Sequence, residues 1–189
     1  MGKDEHLKII HIDYGKGIHS RISVVKRKSD KKLFVWKRPI SSSNKHQEAF
    51  KKEFKKSKFW RKHRLSKVKV RWHPDRKSLL KTFIKGPTLR DVLKKDNHFF
   101  SKGNKKCDAL KEFFRLLVKS GHYVGDVSPK NIVWDGKRWQ IIDSSSIRRK
   151  ENKSSLKRRY REKILKKWVV YVKFREDDIQ SLTSFADSI

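Results

Sequence analysis

Short runs of alternating or wholly apolar residues, rich in β-branched and aromatic side chains, fill the first part of the chain. Leu7 to Asp13, Arg21 to Lys26 and Lys32 to Lys37 fit strands, with Tyr14-Gly15-Lys16-Gly17 and Lys28-Ser29-Asp30-Lys31 as the turns between them. After a break over Pro39 to Asn44 the period changes. Phe50, Phe54 and the Phe59/Trp60 pair mark a helix of about fifteen to twenty residues. Val68 to Trp72 and Ser78 to Ile84 predict a second hairpin around His73-Pro74-Asp75-Arg76. Gly86-Pro87 interrupts the pattern and Thr88 caps a short helix. Cys107 to Ser120 is the clearest helix, with Leu110, Phe113, Phe114, Leu117 and Val118 on one side and Gly121 at its end. Ile132 to Ile142 forms a hairpin turning on Asp135-Gly136, a type I′ signal. The remainder reads as helical, to a last segment near Asp178 to Ala186.

Composition narrows what such a chain can be. Its 189 residues suit one domain or two small lobes, and 35% hydrophobic residues suffice for a core. The single cysteine, Cys107, excludes an internal disulfide framework and fits a reducing compartment. The longest apolar run, Trp168 to Val172, is far too short to span a bilayer. Met1 to His6 carries acids and lacks the apolar stretch of a cleaved signal peptide, so a cytoplasmic location is expected, including the inner face of the membrane. The net charge of +32 calls for polyanions: nucleic acid, phosphorylated lipid or an acidic partner. The basic residues are spread along the whole length, and zinc-finger, RNP-type and basic-zipper patterns are missing from the sequence. Nucleic acid stays open as a partner without being singled out. No His or Cys spacing fits a zinc site.

The chemistry concentrates in Gly125-Asp126-Val127-Ser128-Pro129-Lys130-Asn131 and, past the hairpin, Ile141-Ile142-Asp143. An acid, an amide five positions on and a second acid after the next strand supply the oxygen donors that magnesium prefers. With the order of elements around it, this stretch resembles the protein-kinase-like phosphotransferases, at low similarity through nearly the whole chain. The resemblance implies an α+β, two-lobed fold: an N-lobe of antiparallel sheet plus one helix over residues 1–85, and a minimal, mostly helical C-lobe over 86–189. It implies ATP and Mg2+ as cofactors. Asp126 would orient or deprotonate an acceptor hydroxyl, and Asn131 and Asp143 would hold metal. Gly15, Gly17 and Ser20 resemble the glycine-rich loop over the phosphates, with Ser20 in place of a third glycine. Lys37 resembles the strand lysine on the phosphates. Glu53, with Glu48 as the fallback, would hold that lysine from the helix. Phe83-Ile84-Lys85-Gly86-Pro87 resembles the adenine-binding hinge, with Ile84 at its centre.

The departures from protein kinases matter as much. Val124 and Gly125 replace His and Arg, Ser128 replaces a lysine, Ser144-Ser145 follow Asp143 instead of Phe-Gly, and the resemblance stops at the helix bearing Asp178. A Gly before the Asp is usual in kinases of sugars and other small molecules. The pattern is similar to lipopolysaccharide core (heptose) kinases through Gly121 to Arg149, and to short bacterial effector kinases that act on proteins. The expected function is an ATP/Mg-dependent phosphotransferase whose acceptor is an anionic glycolipid sugar. A minimal Ser/Thr protein kinase, and a pseudokinase or basic nucleic-acid-binding module, are the alternatives.

Overall fold

The computed structural model describes residues 7–17, 20–41, 43–73, 75, 77–143, 147–172 and 176–189. The protein is α+β, built around a five-stranded antiparallel sheet and a set of helices. It divides into two compact units, one within Met1–Arg61 and Val68–Phe83, the other within Lys62–Lys67 and Ile84–Ile189.

In the first unit, β1 (Leu7–Gly17), β2 (Ser20–Arg27), β3 (Leu33–Pro39), β4 (Val70–Trp72) and β5 (Leu79–Thr82) line up in the order β1-β2-β3-β5-β4. The helix α1 (Asn44–Lys62) runs between β3 and β4 in sequence. Tyr14 to Gly17, expected as a turn, is strand: Gly15 pairs with Ile22 and Gly17 with Ser20. Glycine has no intrinsic objection to extended backbone, and the ladder to β2 supplies the hydrogen bonds a turn would have made. The connection through 18 and 19 lies outside the described residues, as do Pro74 and Arg76 of the second hairpin.

Strand alternation sorts the sheet into two faces. Val25, Phe34 and Leu80 pack together on one, with Leu7 and Trp36 beside them. Arg27 and Arg71 each hold a guanidinium 5.2 Å from the Phe34 ring. The registers Ile22–Lys37, Lys37–Leu79 and Val35–Lys81 put Lys37 and Lys81 together on the opposite face. The stripe of α1 that is buried is Phe50, Glu53, Ser57 and Trp60, whereas Phe54 and Phe59 are only half-buried. The aromatic pattern therefore locates the helix correctly, and its inner face also carries Glu53, the expected partner of Lys37, and Ser57, which the pattern does not predict.

The second unit is organised by α3 (Lys105–Lys119), which begins two residues before the expected start because Asn104 accepts from Lys106 N–H and Cys107 N–H. Leu110, Phe113, Phe114, Leu117 and Val118 are buried along it, as the periodicity predicts. The Phe114 ring lies 5.8 Å from Tyr160, 5.7 Å from Trp168 and 6.1 Å from Phe185. Burying each such side chain stabilises by roughly 1.5–3 kcal/mol. Burial also pushes the Cys107 thiol up to about 11, which keeps it unreactive.

Thr88 caps α2 (Leu89–Lys95) through a reciprocal box with Asp91. Strands β6 (His122–Val124), β7 (Ile132–Trp134), β8 (Trp139–Ile141) and β9 (Ile147–Lys150) form two pairs, β7–β8 and β6–β9. Both members of the β6–β9 pair are absent from the sequence-based expectation. The helix α4 (Lys153–Lys163) runs through a π-helical stretch (Ile164–Trp168) into α5 (Val169–Val172), and α6 (Glu176–Asp187) follows.

The β7–β8 turn departs from type I′. Asp135 N–H donates to Arg138 C=O at 3.2 Å, so Gly136 and Lys137 are the central pair. Among them only Gly136 has positive φ, +97°, the glycine-first arrangement. Asp135 is displaced from the turn centre because its carboxylate is engaged, accepting from the N–H groups of Lys137 and Arg138. No helix among the described residues is long and apolar enough to cross a membrane.

Candidate functional site

Two sets of residues carry chemistry, one in each unit. In the first, Lys37 Nζ lies 3.0 and 2.9 Å from the two oxygens of Glu53, and Lys81 Nζ lies 2.6 Å from Glu53 Oε1. All three side chains are buried. The sheet register makes the lysines diagonal neighbours, and the inward stripe of α1 delivers the carboxylate. Glu48, the fallback partner, is exposed and pairs with Lys51 at 2.8 Å; that contact holds its carboxyl below the ordinary range. Lys81 is missed by reading the sequence. The available signal is a lysine in the middle of the apolar run Leu79 to Ile84, where alternation points it inward beside Leu79.

The glycine-rich segment is described in part. Gly15 and Gly17 belong to β1, and Ser20 is buried at the start of β2, opposite Pro39. Ile84, in the second unit, is buried in the segment between β5 and α2. Beyond it Gly86 has φ +150°, and a Cβ there would fall 1.8 Å from the carbonyl oxygen of Trp134. Trp134 N–H in turn donates to Pro87 C=O at 3.0 Å. That close approach is the physical reason for glycine at this position.

The second set is the loop from Val124 to Asn131. Its backbone is pinned from the helix that follows: Tyr160 Oη accepts from Val124 N–H at 2.9 Å, and Trp168 Nε1 donates to Val127 C=O at 3.3 Å. Trp168 ends the π-helical stretch, and a π insertion re-aims side chains relative to a regular helix. Burial pushes the Tyr160 hydroxyl far above its ordinary range, so it stays a neutral acceptor here. Within the loop Asp126 adopts φ +55°, a left-handed conformation costing a non-glycine residue about 1–2 kcal/mol.

Asn131 closes the loop: its Nδ2 donates to Asp126 C=O at 3.2 Å and to Asp126 Oδ2 at 3.0 Å. This fixes the amide so that Asn131 Oδ1 and Asp126 Oδ1 are left without hydrogen-bond partners among the described residues. Ile142 N–H donates to Asn131 C=O at 2.9 Å, which brings the backbone leading to Asp143 alongside. Asp143 is half-buried there; Ser144 and Ser145 lie outside the described residues. Ser128, 2% exposed, holds its Oγ without a hydrogen-bond partner among the described residues, at a cost of about 1–3 kcal/mol. Asp178 lies half-buried in the first turn of α6.

The structure thus brings together Lys37 with Glu53, and Asp126 with Asn131, whose carbonyl accepts from Ile142 N–H, the residue before Asp143. Among the described residues no group of three or more His, Cys, Asp or Glu could hold a metal ion. The loop itself offers a carboxylate oxygen of Asp126 and the amide oxygen of Asn131, and Asp143 follows beyond the hairpin. Oxygen donors of this kind are the type magnesium takes, and Asn131 and Asp143 are the residues that would hold it. The chain matches no protein-family model and no curated protein at a significant level.

Proposed function

We propose that the protein is an ATP- and magnesium-dependent phosphotransferase acting on a hydroxyl of an anionic acceptor. The observation that carries this reading is the Asp126 loop. A carboxylate is held in a costly backbone conformation with one oxygen clamped by Asn131 and the other left to orient a hydroxyl. Asp126 would accept or orient the acceptor proton as a general base. Asn131 and Asp143 are the residues that would hold magnesium, which supplies neutralisation of charge on the transferred phosphoryl group. Lys37, positioned by Glu53, would bind the nucleotide phosphates, and Gly15, Gly17, Ser20 and Ile84 would line the nucleotide. Most of the acceleration then comes from positioning and charge, as the chemistry of phosphoryl transfer allows.

A sugar hydroxyl on a glycolipid, such as a lipopolysaccharide core, is favoured over a protein Ser or Thr because Gly125 and Ser128 stand where protein kinases carry Arg and Lys. Labelled phosphate transfer from ATP to lipopolysaccharide and to a protein extract tests the reading. Asp126→Asn and Asp143→Ala are each expected to lower transfer by at least about a hundredfold. Transfer unchanged in both variants would sink the assignment. The net charge of +32 favours a second reading, a nucleic-acid-binding module. It predicts RNA or duplex binding with a steep salt slope and no phosphate transfer.

A further inference from the structure

Three cations gather over Tyr123 and a fourth, Lys167, acts on one of them, from β9, α4 and the π-helical stretch; the charge of Asp126 reaches Lys163. Tyr123 on β6 stacks on Tyr160 with ring centroids 5.4 Å apart. Over the same Tyr123 ring sit Arg159 Cζ at 3.8 Å, Arg148 Cζ at 5.7 Å and Lys163 Nζ at 5.7 Å. Arg148 comes from β9, paired with β6, while Arg159, Lys163 and Lys167 follow one another at four-residue spacing from α4 into the π-helical stretch. Like charges so spaced repel along a helix, so this ridge works against local stability. Among the described residues two acids act on the group. Glu151 pairs with Arg159, and Asp126 acts on Lys163 through its charge. That leaves positive charge in excess. Burial lowers Lys163 to about 8, with the charge of Asp126 opposing it and those of Lys167, Arg148 and Arg159 adding to it.

We infer that Arg148, Arg159 and Lys163 around Tyr123 form a subsite for a phosphomonoester already carried by the acceptor, next to the hydroxyl that Asp126 orients. The inference rests on the phosphotransferase reading and specifies its acceptor: a molecule with one anionic group in place before the reaction. Guanidinium groups match the geometry of a phosphate's oxygens, and the tyrosine stack holds Arg159 in a fixed plane, which limits the entropy lost on binding. An upstream reaction must therefore have phosphorylated the acceptor.

The test uses the full chain saturated with magnesium and AMP-PNP, a non-hydrolysable ATP analogue, which occupies the nucleotide site. Glucose 6-phosphate, inorganic phosphate and glucose are titrated in turn, followed by calorimetry and by the arginine Nε–H signals in NMR. Both phosphates should bind and shift the arginine signals, and glucose should not. Arg148→Ala and Lys163→Met should each weaken phosphate binding roughly tenfold, with partial recovery in Arg148→Lys. Hydrolysis of ATP by water should stay unchanged in Arg148→Ala, whose side chain is exposed and outside the catalytic set. Failure of AMP-PNP to bind would overturn the phosphotransferase reading. Bound AMP-PNP with glucose 6-phosphate no better than glucose, or binding indifferent to both substitutions, would overturn the subsite alone. Retention on phosphatidic acid vesicles without binding of either soluble phosphate would also overturn it, by assigning the cations to a lipid surface.

Discussion

Replacing Glu53 by Gln removes the carboxylate that Lys37 and Lys81 share. The three contacts of 2.6 to 3.0 Å involve side chains that are each less than a tenth exposed. At an effective dielectric near 20 each lysine's attraction to the carboxylate is about 5–6 kcal/mol before desolvation is counted. Desolvation cancels much of that in the intact protein, but it is not recovered when one partner alone is removed. Two buried ammonium groups then face a neutral amide, and truncations of this kind cost about 3–5 kcal/mol. Against a total stability of roughly 5–15 kcal/mol, this is a large fraction. Lys81→Met behaves differently, because it leaves the Lys37–Glu53 pair and substitutes apolar volume for a buried charge. Its cost should be smaller by at least about 2 kcal/mol. Urea unfolding followed by tryptophan fluorescence gives both numbers, and a Glu53→Gln protein that fails to fold beside a folded Lys81→Met protein satisfies the same ranking. Equal costs, or a larger cost for Lys81→Met, would refute the shared-carboxylate argument.

Gly86→Ala should destabilise by at least about 2 kcal/mol, since its Cβ would meet backbone and φ +150° is unfavourable for alanine; a midpoint in urea matching the parent would refute it. Asp135 supplies a pH test. Burial alone would raise its carboxyl, but hydrogen bonds from Lys67 and from the Arg138 and Lys137 amides outweigh it and hold the group at about 2. A depressed carboxyl contributes stability above its unfolded value near 4, and that contribution is lost as pH falls towards 2. The stability gap between the protein and Asp135→Asn, read from urea midpoints, should accordingly shrink between pH 5 and pH 2.

How much was legible in the sequence depends on whether a residue's setting is local. The Thr88 cap and the α3 core face follow from spacings of a few residues, and both occur where the periodicity puts them. The choice between Glu48 and Glu53 as the partner of Lys37 is not local. Both acids sit on α1, and only the packing of one face of that helix decides which is buried. Lys81 entered the same group through strand register, a pairing across β3 and β5 that no short window records. The turn at Asp135-Gly136 is a milder case: the glycine signal was right, while the Asp135 carboxylate, held by Lys67 from far along the chain, shifted the turn by one position.

The sequence by itself determined the alternation of strands and helices as far as the β7–β8 hairpin, apart from the short strand β6. It also set the spacing that puts an acid and an amide on one loop, because periodicity, capping and turn chemistry act over a few residues. Tertiary structure alone decided the buried Lys37–Glu53–Lys81 contacts, the Tyr160 and Trp168 bonds that pin the Asp126 loop, and the arginines and lysine around Tyr123. Each of these joins groups from different elements, and their energies come from burial and register, which exist only once the elements have packed.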